Sequence, residues 1–427
     1  MAKQLIIQLF ILRSTFSSGL TTPNSELYFQ QMQNLLKTKN HDQTVFKLHK
    51  LKYPTAPRCN DGSFSGYYLQ KSNSKNWIIY LQGGLFCFDS VTCRMRLKNS
   101  PDLTSSKYWS DSKEFQGILS NYPKVSPFWN YNKVYIPYCS SDMWLGHGSS
   151  LSNFQFNGAS ILKAVFTELK LLHGMVSTHG ITLSGTSAGA IGAVLNLNSL
   201  PSVPEKLILD SGWYLKNDED RNSLDKMFDL LEVRENYRGC KNSQDCLYAP
   251  DLLLNQVKNG KNFRNKDLRV LVVQFQYDTI QYGLDERLRN TDFVNYIKQQ
   301  PVKIKRSFFG VKNIPGLKIS VFSPACEYHG LLESNSGIRK LMIGKNNLKK
   351  VIKSCFGKKE CKVIDQCSFP NCNPTCPYWQ DNGFIQNPET LKRLGINLRK
   401  MAKKNGFKNV KKMLYDIGGV GGKKKSD

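Results

Sequence analysis

Acidic residues are what this sequence lacks. Its 427 residues carry 33 Asp and Glu against 60 Lys and Arg, a net charge of +27. Such a balance points to an acidic partner or to a heavily solvated Lys-rich surface. No RNA- or DNA-binding motif accompanies the charge, so nucleic acid is not the expected partner. Long apolar runs are missing too. Beyond the first 20 residues no stretch approaches the length needed to span a bilayer. No Asn-x-Ser/Thr acceptor occurs, because Asn373-Pro374-Thr375 is excluded by its proline. No internal repeat is visible. Histidine is scarce: the chain has six, a scarcity that becomes useful below.

Cysteine is plentiful. Twelve cysteines fit an oxidising compartment, with Cys87 and Cys93, Cys240 and Cys246, and Cys355 and Cys361 close together in sequence. Cys361, Cys367, Cys372 and Cys376 could form a zinc set, but the Pro-rich surroundings and lack of a nearby histidine favour disulfides. No metal or cofactor is therefore expected. Residues 1–19 place Lys3 before the apolar run 5–12, with small residues at Ser17 and Gly19, the layout of a secretory signal. The expected protein is secreted. A polar lead-in covers 20–57, a catalytic domain 58–395 and a basic, flexible tail 396–427. Within the domain, 216–267 reads as a charged, irregular cap or insertion and 355–380 as a cysteine-rich segment. Residues 301–427 hold 26 Lys and Arg against 8 Asp and Glu, which is +18 of the total charge. For a secreted protein that charge suits a sulfated glycan or an acidic cell surface.

Short apolar runs alternate with helical spacing. Strands are predicted at 76–81 (NWIIYL), 133–137, 181–183, 206–209, 269–274 (RVLVVQ) and 318–322, after a meander over 45–68. Residues 156–172 carry Ile161, Val165, Leu169 and Leu172 at helical spacing. This alternation implies an α/β fold of the α/β-hydrolase type: a mostly parallel central sheet with helices on both faces.

Between one strand and one helix lies Gly185-Thr186-Ser187-Ala188-Gly189. A Gly-x-Ser-x-Gly turn in that context exposes the serine hydroxyl above the sheet and aims the next N–H, that of Ala188, at the same space. A chance Gly/Ser turn is the alternative. The serine needs a base, and in α/β hydrolases the acid and then the histidine follow the nucleophile. Only His329 follows Ser187. The acid must lie between them at the end of a strand, where Asp278 sits after RVLVVQFQY. Asp210 also ends a strand but follows Ser187 too closely, and it is expected to be structural. The strand at 76–81 runs into Gly83-Gly84-Leu85, where glycine lets backbone N–H groups face a substrate, so Gly84 or Leu85 joins Ala188 as an oxyanion donor.

The segments WIIYLQGGLFCF, YNKVYIPYCSSDMW, SGTSAGAIGAVLN, LILDSGWYL, VLVVQFQYD and SPACEYHG resemble the Notum-type secreted carboxylesterases of the pectin acetylesterase family, as does the tail CKVIDQCSFPNCNPTCP. The resemblance spans about residues 58–395 and is weakest over 216–267. It implies Ser187, Asp278 and His329 as a catalytic triad and Gly84, Leu85 and Ala188 as the oxyanion hole. It implies hydrolysis of the palmitoleoyl ester on a serine of Wnt proteins, with heparan-sulfate-type glycans as surface partners. An O-acetyl esterase acting on a glycan is the alternative, and a basic glycan-binding protein with little esterase activity is a third reading. Leu85 stands where the resembled proteins have tryptophan, Gln82 where they have glutamate, and Ala190 where they have glycine. The cysteine they carry before RVLVV is missing, which leaves Cys326 without its expected partner.

Overall fold

The computed structural model describes residues 45–176, 178–215, 221–232, 247–259, 267–278, 280–281, 292–310, 315–356, 360–366, 370–376 and 403. The expected signal segment, most of the polar lead-in, Cys240, Cys246, Cys367 and all of the basic tail but Lys403 lie outside them.

Among the described residues fourteen strands run in chain order: β1 (Phe46–Lys50), β2 (Gly66–Gln70), β3 (Trp77–Leu81), β4 (Ser112–Lys113), β5 (Asn132–Ile136), β6 (Ser149–Leu151), β7 (Phe154–Phe156), β8 (Ile181–Thr186), β9 (Lys206–Asp210), β10 (Leu268–Val273), β11 (Leu317–Ser323), β12 (Met342–Ile343), β13 (Asn346–Asn347) and β14 (Lys362–Ile364). Ten of them make one sheet in the order β14-β11-β10-β9-β8-β3-β5-β2-β1-β4. From β14 to β5 every pairing is parallel, and β2, β1 and β4 close the other edge antiparallel. The helices are α1 (Ser90–Asn99), α2 (Gly158–Leu172), α3 (Ala188–Leu195), α4 (Arg221–Leu230), α5 (Ala249–Asn259), α6 (Asp292–Gly310), α7 (Asn335–Lys340) and α8 (Leu348–Cys355).

The strand sequences are apolar on successive positions because both faces are covered. Trp77, Ile79 and Leu81 of β3 join Ile161, Val165 and Leu169 of α2 in one core. The alternate residues Ile78 and Tyr80 join Ile338 of α7 and Leu348, Val351 and Ile352 of α8 in the other. Parallel pairing carries the carboxyl ends of these strands to one edge, where an α/β sheet places its ligands. The α/β expectation and its strands hold. The segment read as irregular is different: it contains α4 and α5. Their buried residues Met227, Phe228, Leu252, Leu253 and Val257 are interrupted in sequence by charge, which masked the helical spacing.

Disulfides between described residues lock the loops: Cys59–Cys139, Cys87–Cys93, Cys326–Cys376 and Cys355–Cys361. Cys372 is disulfide-bonded as well. Two of these bonds join cysteines that lie close together in sequence, Cys87–Cys93 and Cys355–Cys361, and Cys361 and Cys376 are taken from the zinc alternative. Cys326 is not left unpaired. It bonds to Cys376 across 50 residues, because the chain after β14 returns over the loop that follows β11. Among the described residues no helix is long and apolar enough to cross a membrane.

Candidate active site

Ser187 sits between β8 and α3 with φ 57° and ψ −124°, a left-handed backbone that a serine adopts only under constraint. The constraint is local crowding. A Cβ on Gly185 would stand 2.4 Å from the carbonyl carbon of Gly189, and one on Gly189 would stand 2.2 Å from the Leu81 carbonyl oxygen. Both glycines are required by close approach. The Ser187 N–H donates to the Asp210 carbonyl at 2.8 Å, tying the turn to the end of β9. Ala190 is accommodated because residue 212 is glycine: a Cβ there would meet the Ala190 methyl at 2.4 Å.

Asp278 follows β10 and is fully buried. Its Oδ1 accepts the backbone N–H groups of Ile280 and Gln281 at 3.0 and 3.2 Å, and its Oδ2 accepts Gln274 Nε2 at 3.0 Å. The same Oδ1 lies 2.7 Å from His329 Nδ1. A carboxylate can only accept, so Nδ1 carries the proton and Nε2 is left as a base. Burial opposes a charge on His329, but the field and hydrogen bond of Asp278, joined by the field of Asp210, outweigh it and raise the imidazole pKa above its ordinary value.

Ser187, Ala188 and His329 line one cavity of about 290 Å³, together with Leu85, Phe86, Phe88, Met143, Ile191, Ser211, Gly212, Tyr214, Leu247, Ile280 and Gln281. Its walls are mostly apolar, and Leu85 at its edge is 42% exposed. Gly84, with φ 143°, lies one residue behind Leu85 and is not among the described lining residues. Behind this loop Arg96 of α1 donates from Nε to Ser141 Oγ at 2.7 Å. Its guanidinium lies over the Tyr138 ring, and its Nη2 stands 3.2 Å from where a Gly84 Cβ would be. Gln82 turns away from the cavity. Its Oε1 accepts the Tyr138 N–H and its carbonyl accepts Trp144 Nε1.

Sequence reasoning left several supporting residues unassigned. Gln274 Oε1 accepts the Trp213 N–H and Gln281 Nε2 donates to the Trp213 carbonyl, so both glutamines link the Asp278 loop to the turn after β9. Gln276 Nε2 bridges the carbonyls of Ser323 and Asp365. The cysteine-rich segment braces the loop that carries His329. Asp365 Oδ2 accepts the Ala325 N–H, Asn371 Oδ1 accepts the Glu327 N–H, and Cys376 adds its disulfide. No motif announces these contacts, since each is made by an ordinary polar side chain from a distant segment. A hydroxyl and an imidazole opening onto an apolar cavity, with a buried carboxylate behind the imidazole, suit acyl transfer by a nucleophilic serine.

Known proteins resemble this chain over most of its length. A family model described as pectinacetylesterase matches residues 37–377. The palmitoleoyl-protein carboxylesterase notum1' of Xenopus laevis is 30% identical, the alignment covering 84% of this chain and 81% of that protein. Human palmitoleoyl-protein carboxylesterase NOTUM is 29% identical over 84% of this chain and 79% of its own. The solved structure of the Wnt deacylase Notum from Drosophila superposes with a TM-score of 0.65 at 29% identity, covering 78% of this chain and 99% of that one.

Proposed function

The chain belongs to the pectinacetylesterase family, and from that premise we propose that it is a secreted serine carboxylesterase that removes a palmitoleoyl group from a serine of a Wnt-type protein. It is a carboxylic ester hydrolase, as the family and the palmitoleoyl-protein carboxylesterases similar to it are. The observation that carries the mechanism is the opening of Ser187 and His329 onto one apolar cavity, with Asp278 behind the imidazole.

Ser187 Oγ attacks the ester carbonyl while His329 Nε2 takes its proton. The carbonyl oxygen gains charge and is held by N–H groups of Ala188 and of Gly84 or Leu85, a contribution of about 10²–10³ per donor. His329 returns the proton to the leaving serine hydroxyl, which departs with its protein. Water then attacks the acyl-enzyme with His329 as base, releasing the fatty acid and restoring Ser187. Asp278 holds the imidazole tautomer throughout.

An acetyl group would fill little of a 290 Å³ cavity walled by Leu85, Phe86, Phe88, Met143 and Ile191, which favours a lipid acyl group over the O-acetyl ester of a glycan. The +27 charge supports heparan-sulfate-type glycans as surface partners. The disulfides support an extracellular setting. The test is release of palmitoleate from an O-palmitoleoyl-serine peptide, followed by mass spectrometry, for the protein and for Ser187→Ala. Release by the former alone supports the reading, and no release by either removes it.

A further inference from the structure

Asp210 ends β9 with no exposed surface, yet four of its contacts reach the two loops that carry Ser187 and His329. Its carbonyl accepts the Ser187 N–H at 2.8 Å. Its Oδ2 accepts the Leu331 and Leu332 N–H groups at 2.6 and 2.9 Å and the Thr186 hydroxyl at 2.8 Å. The neighbouring Ser211 hydroxyl donates to Asp210 Oδ1 at 3.3 Å and accepts the Gly330 N–H at 2.9 Å. Three consecutive N–H groups after His329 are therefore held by the pair Asp210-Ser211, and the residue before Ser187 is held by the same carboxylate.

We propose that Asp210 is a positioning residue for the reaction: it joins the nucleophile turn and the His329 loop into one unit and supplies a second buried negative charge to the imidazole. This rests on the esterase reading above. A core that needed only to fill this site could do so with an apolar side chain. Two N–H groups and a hydroxyl converge on one oxygen instead, and a carboxylate is the acceptor that satisfies all three.

His329 faces Asp278 and Asp210, and both lift its pKa. Asp210 faces His329, Tyr80 and Tyr328. Tyr80 donates its hydroxyl to Thr186 Oγ1 at 2.8 Å, extending the chain of bonds. Burial raises both phenols above their ordinary value, so they stay neutral where esterases work. Burial also raises Asp210, to about 6, against the pull of its donors, so its charge is present above that pH and is lost below it.

The test replaces Asp210 by asparagine. The amide oxygen keeps the Leu331, Leu332 and Thr186 bonds, and the amide NH₂ donates to the Ser211 oxygen, reversing that one bond, while the negative charge is removed. His329 is titrated by NMR in the full chain, and kcat and KM are measured on p-nitrophenyl butyrate between pH 5 and 9. In Asp210→Asn the His329 midpoint is expected to move down by about one pH unit. The acid limb of kcat/KM should move with it, and kcat at pH 8 should fall about tenfold with KM within about twofold. An unmoved midpoint in a folded variant overturns the proposal, because a merely structural residue would lower kcat without shifting a titration. Where Asp210→Asn does not fold, Thr186→Val withdraws one donor from the carboxylate. The midpoint should then move the same way by a smaller amount, and no movement overturns the proposal equally. The NMR titration needs no turnover, so an inactive wild type would defeat the esterase reading without deciding this one.

Discussion

Asp278 Oδ1 and His329 Nδ1 lie 2.7 Å apart although 51 residues separate them in the chain. The aspartate is buried at the end of β10, and the histidine rides a loop after β11 that remains partly accessible from the cavity. The bond fixes which imidazole nitrogen is the base, and most expected behaviour of the site follows from it.

The pH dependence has a definite sign. The proposed mechanism needs neutral His329, whose pKa is raised above the ordinary 6.5. Activity should therefore fall as the pH drops through a value above 6.5, with no matching loss just above it. A kcat/KM profile on a neutral ester between pH 5 and 9 measures this, and a half-maximum below 6.5 contradicts it.

Asp278→Asn leaves the shape but presents an NH₂ or a weaker acceptor to Nδ1, so the wrong tautomer becomes accessible. A loss of about 10³–10⁴ in kcat is expected, from the size of this effect in serine hydrolases generally. Ser187→Ala should lose at least as much. A Ser187→Ala rate within tenfold of wild type would place the nucleophile elsewhere.

Acyl length should matter steeply. Each methylene that enters the apolar cavity is worth about 0.8 kcal/mol, or about fourfold in kcat/KM. A series of p-nitrophenyl esters from acetate upward should climb by about that factor per carbon until the 290 Å³ is filled. A series that peaks at acetate would favour the glycan O-acetyl esterase.

Gly189→Ala should fail structurally. The new methyl would stand 2.2 Å from the Leu81 carbonyl oxygen in the middle of the sheet, where backbone cannot give way. A destabilisation above about 3 kcal/mol is expected, read as a loss of soluble protein or a lowered melting temperature.

The Cys326–Cys376 bond should protect activity as well as stability. Opening a 50-residue loop costs about 2–4 kcal/mol in small domains. In Cys376→Ser the loop carrying His329 loses its covalent brace while Asp365 and Asn371 still hold it. Activity should therefore decline at a lower temperature than the global melt, and coincident transitions would contradict that.

The parallel strands were legible in sequence because burial on both faces leaves uninterrupted apolar runs, as in NWIIYL and RVLVVQ. Ser187 was legible because its turn demands glycines at fixed offsets, and His329 because no other histidine follows it. Other features carry no such local demand. Helices α4 and α5 show mixed charge in sequence and become helices by packing Met227, Phe228, Leu252 and Leu253 inward. The partner of Cys326 depended on how the chain returns after β14, which spacing alone does not encode. The clamp at Asp210 is likewise a product of tertiary structure, since one ordinary aspartate gains its meaning from N–H groups 121 and 122 residues away. Local backbone geometry and burial thus wrote the strands and the candidate site residues into the sequence. The convergence of distant polar groups, which only the folded chain brings together, decided how those residues are held in place.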